Sequence, residues 1–216
     1  MVREYLHHGN LRTHRPSGLM GMYCSYAYNT LSLQKARFLS VKPDAETEYP
    51  CPASIFSAAT IEFGGPHRRL NHRGDPHDFL PGDWCILTSV GRYRHLHGGH
   101  IILWDFGLVI QFPPATHILL PAGLIRYSFV KVQPHETRYS IIQWAGSGIQ
   151  RFLENNNRTD LDFAKFATEV EYTAREAQRQ RNHVHSLESL PRTNTLEEGP
   201  LNFPYPGPNP PDDPIA

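Results

Sequence analysis

Short apolar segments separated by turn residues dominate the chain between Trp84 and Trp144, and they limit the fold more than any other feature. They read DWCILTSVG, GGHIILWDF, GLVIQFPP, THILLPAG, LIRYSFVKV and TRYSIIQWAG. Glycine, proline and the Asp-Phe-Gly turn separate them. Strands at such close, even spacing predict an antiparallel sandwich or barrel. The proline-punctuated corners of GLVIQFPPATHILLPAG favour a double-stranded β-helix, the jelly-roll or cupin-like fold.

The flanking segments follow other patterns. Near-helical spacing of apolar residues predicts one helix from Met20 to Leu39, and Ser54 to Gly64 is read as a strand. After Gly148 a second helical pattern passes into a charged, solvent-facing run. The expected fold class is therefore α+β, mainly β with flanking helices. We expect a flexible N-terminus at 1–18, one domain at 19–185 and a disordered Pro-rich tail at 186–216.

Composition removes several classes of function. Lysine plus arginine equals aspartate plus glutamate at 21 each, so no global basic field indicates a nucleic-acid partner, although a local basic groove stays compatible with one. The three cysteines are widely spaced and form no CxxC pair, which argues against a zinc ribbon or a disulfide framework. No apolar run resembles a signal peptide or a membrane span. We expect an intracellular protein, nuclear or cytoplasmic and not secreted, with no membrane partner; its oligomeric state is left open.

A histidine-rich stretch, LNHRGDPHDFLPGDWC, precedes the strand-rich region. A facial iron site requires two imidazoles and one carboxylate, and His-x-Asp on a strand end supplies two of them. Here the step from His72 lands on Gly74, and Asp75 is one residue too far. Arg138 lies on a late strand, where a guanidinium fork suits a carboxylate co-substrate. From these residues alone, both a displaced metal site and a polar surface loop remain open.

Other sites of chemistry are less supported. HLHGGH contains His95, His97 and His100, but the cupin metal motif also needs a following glutamate, and none occurs between Glu62 and Glu136. The glycine pair favours a hairpin turn, so a cupin-type metal protein is a distant third hypothesis. Neither a G-x-S-x-G elbow nor a phosphate-binding P-loop is present. Cys85 lies within an apolar strand, where a buried, inert thiol is the ordinary outcome.

The segments SIFSAATIEFG, GDWCILTSVGRY, GGHIILWDFGLVIQFPPATHILLPAGLIRYS and VQPHETRYSIIQWAGSGIQRFLENN together resemble a known family. They are similar to a fungal group of 2-oxoglutarate/Fe(II) dioxygenase-like domains related to the Tet/JBP enzymes. Those enzymes oxidise methylated pyrimidines in DNA. The resemblance covers roughly residues 20–185. It implies a jelly roll, Fe(II) and 2-oxoglutarate as cofactors, and modified nucleic-acid bases as substrates.

The resemblance also assigns roles to residues. It puts His72 at the first iron-ligand position, Gly74 at the acid position with Asp75 displaced by one, and Tyr127 at the second histidine position. It keeps Arg138 as the 2-oxoglutarate arginine. A phenol ligates only after losing a proton from a reference pKa near ~10, and phenolate favours ferric iron.

Two hypotheses follow. The first is a dioxygenase-like protein whose catalysis is impaired or lost, because the iron ligands are incomplete unless another histidine such as His77 or His100 substitutes. The alternative is a non-catalytic jelly-roll binding module for nucleic acid or protein. The resemblance further implies that Tyr127 projects into the barrel near His72, because it occupies a position where relatives place an inward-facing ligand. Strand alternation then puts Arg126 and Ser128 on the opposite face. Arg138, about one strand later, is also expected to face inward.

Overall fold

A computed structural model describes residues 14–48, 54–63, 84–188 and 190 of the chain. Its elements in chain order are helices α1 (His14–Tyr23) and α2 (Ser25–Val41), a 3-10 helix (Pro43–Glu48), strands β1 (Ala58–Phe63), β2 (Trp84–Arg92), β3 (Ile101–Leu103), β4 (Leu108–Ile110), β5 (His117–Pro121), β6 (Tyr127–Phe129) and β7 (Thr137–Trp144), and helices α3 (Ser147–Glu154), α4 (Asp160–Phe166) and α5 (Glu169–Glu188). Within these ranges, no helix is long and apolar enough to cross a membrane.

The six apolar segments between Trp84 and Trp144 each contain one strand, β2 to β7, so the prediction of closely spaced strands is confirmed. All pairs among the described strands are antiparallel. The Asp-Phe-Gly turn joins β3 to β4 and ends at Gly107, whose φ is +62°. Only glycine adopts this left-handed conformation at little cost, so the turn residue seen in the sequence has a direct backbone reason.

The described strands form two sheets. The larger has the order β1-β7-β2-β5 and the smaller has the order β4-β3-β6. The main apolar core contains residues from both sheets: Cys85, Leu87, Ile101, Leu103, Phe112, Leu120, Ala122, Tyr127 and Ile142. Alternation along β2 and β7 therefore directs Cys85, Leu87 and Ile142 toward the smaller sheet.

Part of the opposite face of the larger sheet packs against the N-terminal helices. Met20, Cys24, Ala27 and Leu31 form a second cluster with Phe56, Trp84 and Ile86. The prediction of one helix from Met20 to Leu39 is wrong, because the chain leaves helical geometry at Cys24, where φ is −139° and ψ is 55°. The break is compatible with burial of residues from both helices in one cluster, which spacing along a single helix does not reveal.

The C-terminal helical pattern is divided into α4 and α5, and α3 precedes them. The division at Thr168 has a local cause. The Thr168 backbone N–H donates to Glu171 Oε2 at 2.9 Å, and the Glu171 backbone N–H donates to Thr168 Oγ1 at 3.3 Å. This reciprocal pair is a capping box, which begins a new helix.

The described residues thus form a mixed α+β structure with antiparallel sheets and flanking helices. The expected β-dominated balance is not observed, because the helices include more of the described residues than the strands. Helix α1 begins at His14, inside the segment expected to be flexible, and α5 ends at Glu188, beyond the expected domain end. Residues 1–13 and 191–216, and with them most of the expected flexible ends, lie outside the described residues.

Candidate functional site

The structure places two of the four predicted site residues, Tyr127 and Arg138, and both face the space between the sheets. His72 and Asp75 lie outside the described residues. Arg138 is on β7 and is paired with Gly91 of β2, whereas Tyr127 is on β6 in the smaller sheet. Both side chains have the inward orientation that was expected from the resemblance.

Arg138 is the most unusual charged residue in the described part of the chain, because its side chain is only 6% exposed. Its Nε and Nη2 atoms have no hydrogen-bond partner among the described residues. These two nitrogens lie on the same edge of the guanidinium group. Together they form the fork with which arginine binds the two oxygens of a carboxylate.

Three aromatic rings surround this guanidinium. The Arg138 Cζ atom lies 3.9 Å from the ring centroid of Phe129, 5.4 Å from that of Phe112 and 6.0 Å from that of Tyr93. Phe112 and Phe129 are stacked, with their centroids 6.2 Å apart and their planes inclined by 16°. The Phe129 ring covers one face of the guanidinium by a cation–π contact, and the Nε–Nη2 edge has no partner among the described residues. We call Arg138 and these three rings the arginine cage.

Tyr93 ties the arginine cage to the end of β2. Its hydroxyl donates a hydrogen bond to the Phe112 backbone carbonyl. Ser89 Oγ lies 2.5 Å from the same hydroxyl and, since the phenol proton is already donated, Ser89 acts as the donor. A buried hydrogen bond therefore joins the Tyr93 side chain to the backbone of Phe112, and it limits the movement of both residues relative to β2.

The electrostatics of the cage also favour an anion. Burial lowers the pKa of Arg138, while contact with Tyr93 and the field of Glu62 oppose that shift. Arginine nevertheless keeps its proton in proteins, so the group stays cationic. Ser140, two residues along β7 on the same face, is 1% exposed, and its Oγ has no partner among the described residues. A second unused donor therefore accompanies the fork.

Tyr127 has different surroundings. It is 4% exposed, belongs to the apolar core between the sheets and contacts Phe129 edge-on at 5.9 Å between centroids. Burial, followed by the neighbouring Cys85 and Glu62, raises the pKa of its phenol. Burial also raises the pKa of the Cys85 thiol to about 12, although a hydrogen bond with Tyr127 partly opposes that shift. Both groups stay protonated at neutral pH.

The neighbours of Tyr127 in sequence point away from the core. Arg126 is exposed and donates two hydrogen bonds to Asp105. Its backbone N–H donates to Oδ2 at 2.6 Å, and its Nε donates to Oδ1 at 2.8 Å. Ser128 lies on the face of the smaller sheet that is opposite to the core. It is nevertheless buried there, and its Oγ accepts a hydrogen bond of 3.0 Å from Trp104 Nε1. Tyr127 is thus the inward residue of this strand segment.

These surroundings do not fit an iron site at Tyr127. A metal ligand must be deprotonated, and a phenol kept neutral in an apolar core is a poor donor. Within the described ranges, no three histidine, cysteine, aspartate or glutamate side chains come together in a way that could hold a metal ion. His95, His97 and His100 lie in these ranges, so the structure does not assemble them into such a group.

Sequence reasoning identified Arg138 but missed the three rings and Ser140. Ser140 could have been found from the sequence, because residues two positions apart on a strand lie on the same face and Ser140 is two positions from Arg138. The rings come from the end of β2, the segment after β4 and strand β6, and they are 17 to 36 residues apart in sequence. Their convergence on one guanidinium has no local signal.

Comparisons with known proteins give little support for a family. No protein-family model matches the chain, and no curated protein matches it. Among solved structures, the chain is similar to NgTET1 in complex with DNA containing 5-methylcytosine, with 13% identity and a TM-score of 0.37. The match covers 58% of this chain and 51% of that one, so it spans about half of that protein's length. A likeness this low does not establish a shared fold.

Proposed function

We propose that this chain is a 2-oxoglutarate/Fe(II) dioxygenase-like protein of jelly-roll type that keeps a carboxylate-binding pocket but has impaired or lost iron chemistry. The observation that carries the proposal is the unpartnered Nε–Nη2 edge of buried Arg138. A carboxylate such as that of 2-oxoglutarate is the ligand we assign to it.

The energetics of a buried guanidinium support this assignment. A buried donor without a partner costs about 1–3 kcal/mol, and a charged donor costs more. Arg138 leaves two such nitrogens unpartnered among the described residues, and Ser140 Oγ nearby is a third group without a partner. A bidentate carboxylate would satisfy the fork by two parallel charge-assisted bonds. These unpartnered donors support the proposal of an anion at this site.

The proposal of impaired catalysis is supported by Tyr127. It occupies the position of the second iron ligand in the family that the sequence resembles, and it is a protonated phenol packed in the core. His72 and Asp75 are proposed to be the remaining ligands, and the structure does not describe them. Modified nucleic-acid bases as substrates, and nucleic acid as a partner, are part of the proposal through the resemblance alone.

Titration calorimetry with 2-oxoglutarate tests the carboxylate site. Wild-type protein should bind one equivalent of 2-oxoglutarate even with a metal chelator present, because the donors of Arg138 and Ser140 do not require a metal. Arg138→Gln should abolish the binding signal. Arg92→Gln is a matched control, because Arg92 is exposed at the end of β2 and the charge change is identical.

The same titration separates the proposal from an intact enzyme. Mn(II), an oxygen-stable substitute for Fe(II), should bind weakly to wild-type protein. Tight one-to-one binding of Mn(II) that is lost in His72→Ala would show an intact metal site and contradict the impaired-catalysis reading. Absence of 2-oxoglutarate binding by wild-type protein, with and without Mn(II), would contradict the carboxylate pocket itself.

A further inference from the structure

Two adjacent glycines, Gly98 and Gly99, are buried in the loop between β2 and β3. This loop is bonded to the strand-end segment that follows β6. The Gly99 backbone N–H donates to the Val130 carbonyl at 3.1 Å, and the Val130 N–H donates to the His100 carbonyl at 2.8 Å. The backbone at Gly99 is therefore held close to the end of β6, on which Phe129 lies.

A side chain at Gly99 would collide with two members of the arginine cage. A Cβ built there would lie 2.5 Å from Tyr93 Cε2, 2.9 Å from Tyr93 Cδ2 and 3.1 Å from Arg138 Cδ. Contacts under about 3.0 Å do not occur for real Cβ atoms, so the Tyr93 ring must shift. Gly99 also has a φ of +73°, which an L-residue adopts with strain.

Displacement of Tyr93 would extend to the other members of the arginine cage. The Tyr93 hydroxyl is bonded to the Phe112 carbonyl and to Ser89, and its ring is next to the Arg138 guanidinium. Packing in a protein interior is dense, so a methyl group at residue 99 has no free volume to enter. The side chains of Tyr93 and Arg138 thus pack directly against the backbone of Gly99.

We propose that Gly99 is a positioning residue for the carboxylate fork: the absence of a side chain there sets the orientation of Tyr93 and, through contact, of Arg138. The proposal rests on the carboxylate-binding function stated above. It goes beyond that function by assigning specificity for ligand geometry to a residue that does not contact the ligand. A fork displaced by a fraction of an ångström loses one of two parallel bonds.

Gly107 provides the matched control. It also has a left-handed conformation, with φ of +62°, but a Cβ built there has nothing within 4 Å. Gly99→Ala and Gly107→Ala therefore carry similar backbone strain, and only the first adds a collision with the cage. A difference between the two variants reports the collision.

Two readouts decide the proposal. In titration calorimetry, Gly99→Ala should weaken 2-oxoglutarate binding about tenfold or more, the loss expected for one charge-assisted bond, while Gly107→Ala stays within about twofold of wild type. In ¹⁵N NMR of ligand-free protein, the Arg138 Nε–H signal, which is close to the Phe129 ring, should shift in Gly99→Ala and stay in place in Gly107→Ala. A purely structural role for Gly99 would destabilise the protein without moving that signal.

The outcomes are distinguishable. Wild-type protein that does not bind 2-oxoglutarate contradicts the proposed function, while the Nε–H signal still decides the positioning role. Equal affinities and an unmoved signal in Gly99→Ala overturn the positioning role. Should Gly99→Ala not fold, Gly99→Asn and Gly107→Asn repeat the comparison with less backbone strain, because asparagine tolerates positive φ. Asparagine at residue 99 still places a Cβ against Tyr93. Failure of Gly99→Asn to fold would make Gly99 a requirement of the fold and overturn the proposal.

Discussion

Replacement of Arg138 by methionine should stabilise the ligand-free protein. Methionine keeps an unbranched stem of similar length and fills irregular gaps in a core, while it removes the buried charge. Arg138 is 6% exposed and leaves Nε and Nη2 unpartnered among the described residues. Replacing a buried, poorly compensated charge by an apolar group of similar volume is often neutral or stabilising, by about 1–4 kcal/mol.

The magnitude follows from three contributions. Two unsatisfied donors cost about 1–3 kcal/mol each. The cation–π contact with Phe129, at 3.9 Å, gives back about 0.5–2 kcal/mol. Loss of the Tyr93 contact reduces the gain further. We therefore expect Arg138→Met to raise the free energy of unfolding by about 1–3 kcal/mol, which is about 2–12 °C in Tm for a chain of this size.

Urea and thermal unfolding of ligand-free protein measure this change. Arg92→Met, at an exposed position, should change stability by no more than about 0.5 kcal/mol. Saturating 2-oxoglutarate should remove most or all of the difference between the two proteins, because a ligand at 100 times its Kd stabilises wild type by about 2.7 kcal/mol and leaves Arg138→Met unchanged. Destabilisation of ligand-free Arg138→Met by about 3 kcal/mol or more would show that the chain itself satisfies the guanidinium and would refute the reasoning.

Two more predictions concern the core and the helices. Burial raises the pKa of Cys85 from 9.0 to about 12, so the folded state holds this proton more tightly than the unfolded state; the contribution of Cys85 to stability should be constant below about pH 9 and be lost as pH rises toward 12. Cys85→Ala should reduce that fall in urea titrations at pH 8 and pH 10; an unchanged pH dependence would contradict the buried-thiol argument. Thr168→Ala removes the capping box of α5 and should cost about 1 kcal/mol, whereas Thr173→Ala, inside the same helix, should cost less than about 0.5 kcal/mol. Equal effects of the two threonine variants would mean that the cap does not limit the helix.

The strands were predictable because their signal is local. Each of β2 to β7 is an apolar segment bounded by glycine or proline, and a strand that is buried on one or both faces needs little more to be recognised. The helix breaks were less predictable. Thr168 and Glu171 are a readable capping box, but the break at Cys24 has no such signal, and helical periodicity continues through both positions.

The candidate site also has one part with a signal in the sequence and one part without. The inward orientation of Tyr127 was expected from the family resemblance, and strand alternation then puts Arg126 and Ser128 on the other face. Polarity along the strand gives no such expectation for Arg138, because this buried charged residue is followed by the aromatic Tyr139. What contacts Arg138 and Tyr127 depends on tertiary packing. Phe112, Phe129 and Tyr93 reach the Arg138 guanidinium from three separate segments, and a glycine backbone leaves room for Tyr93. Contacts between residues far apart in sequence depend on how two sheets pack, and no periodicity within one segment records that packing.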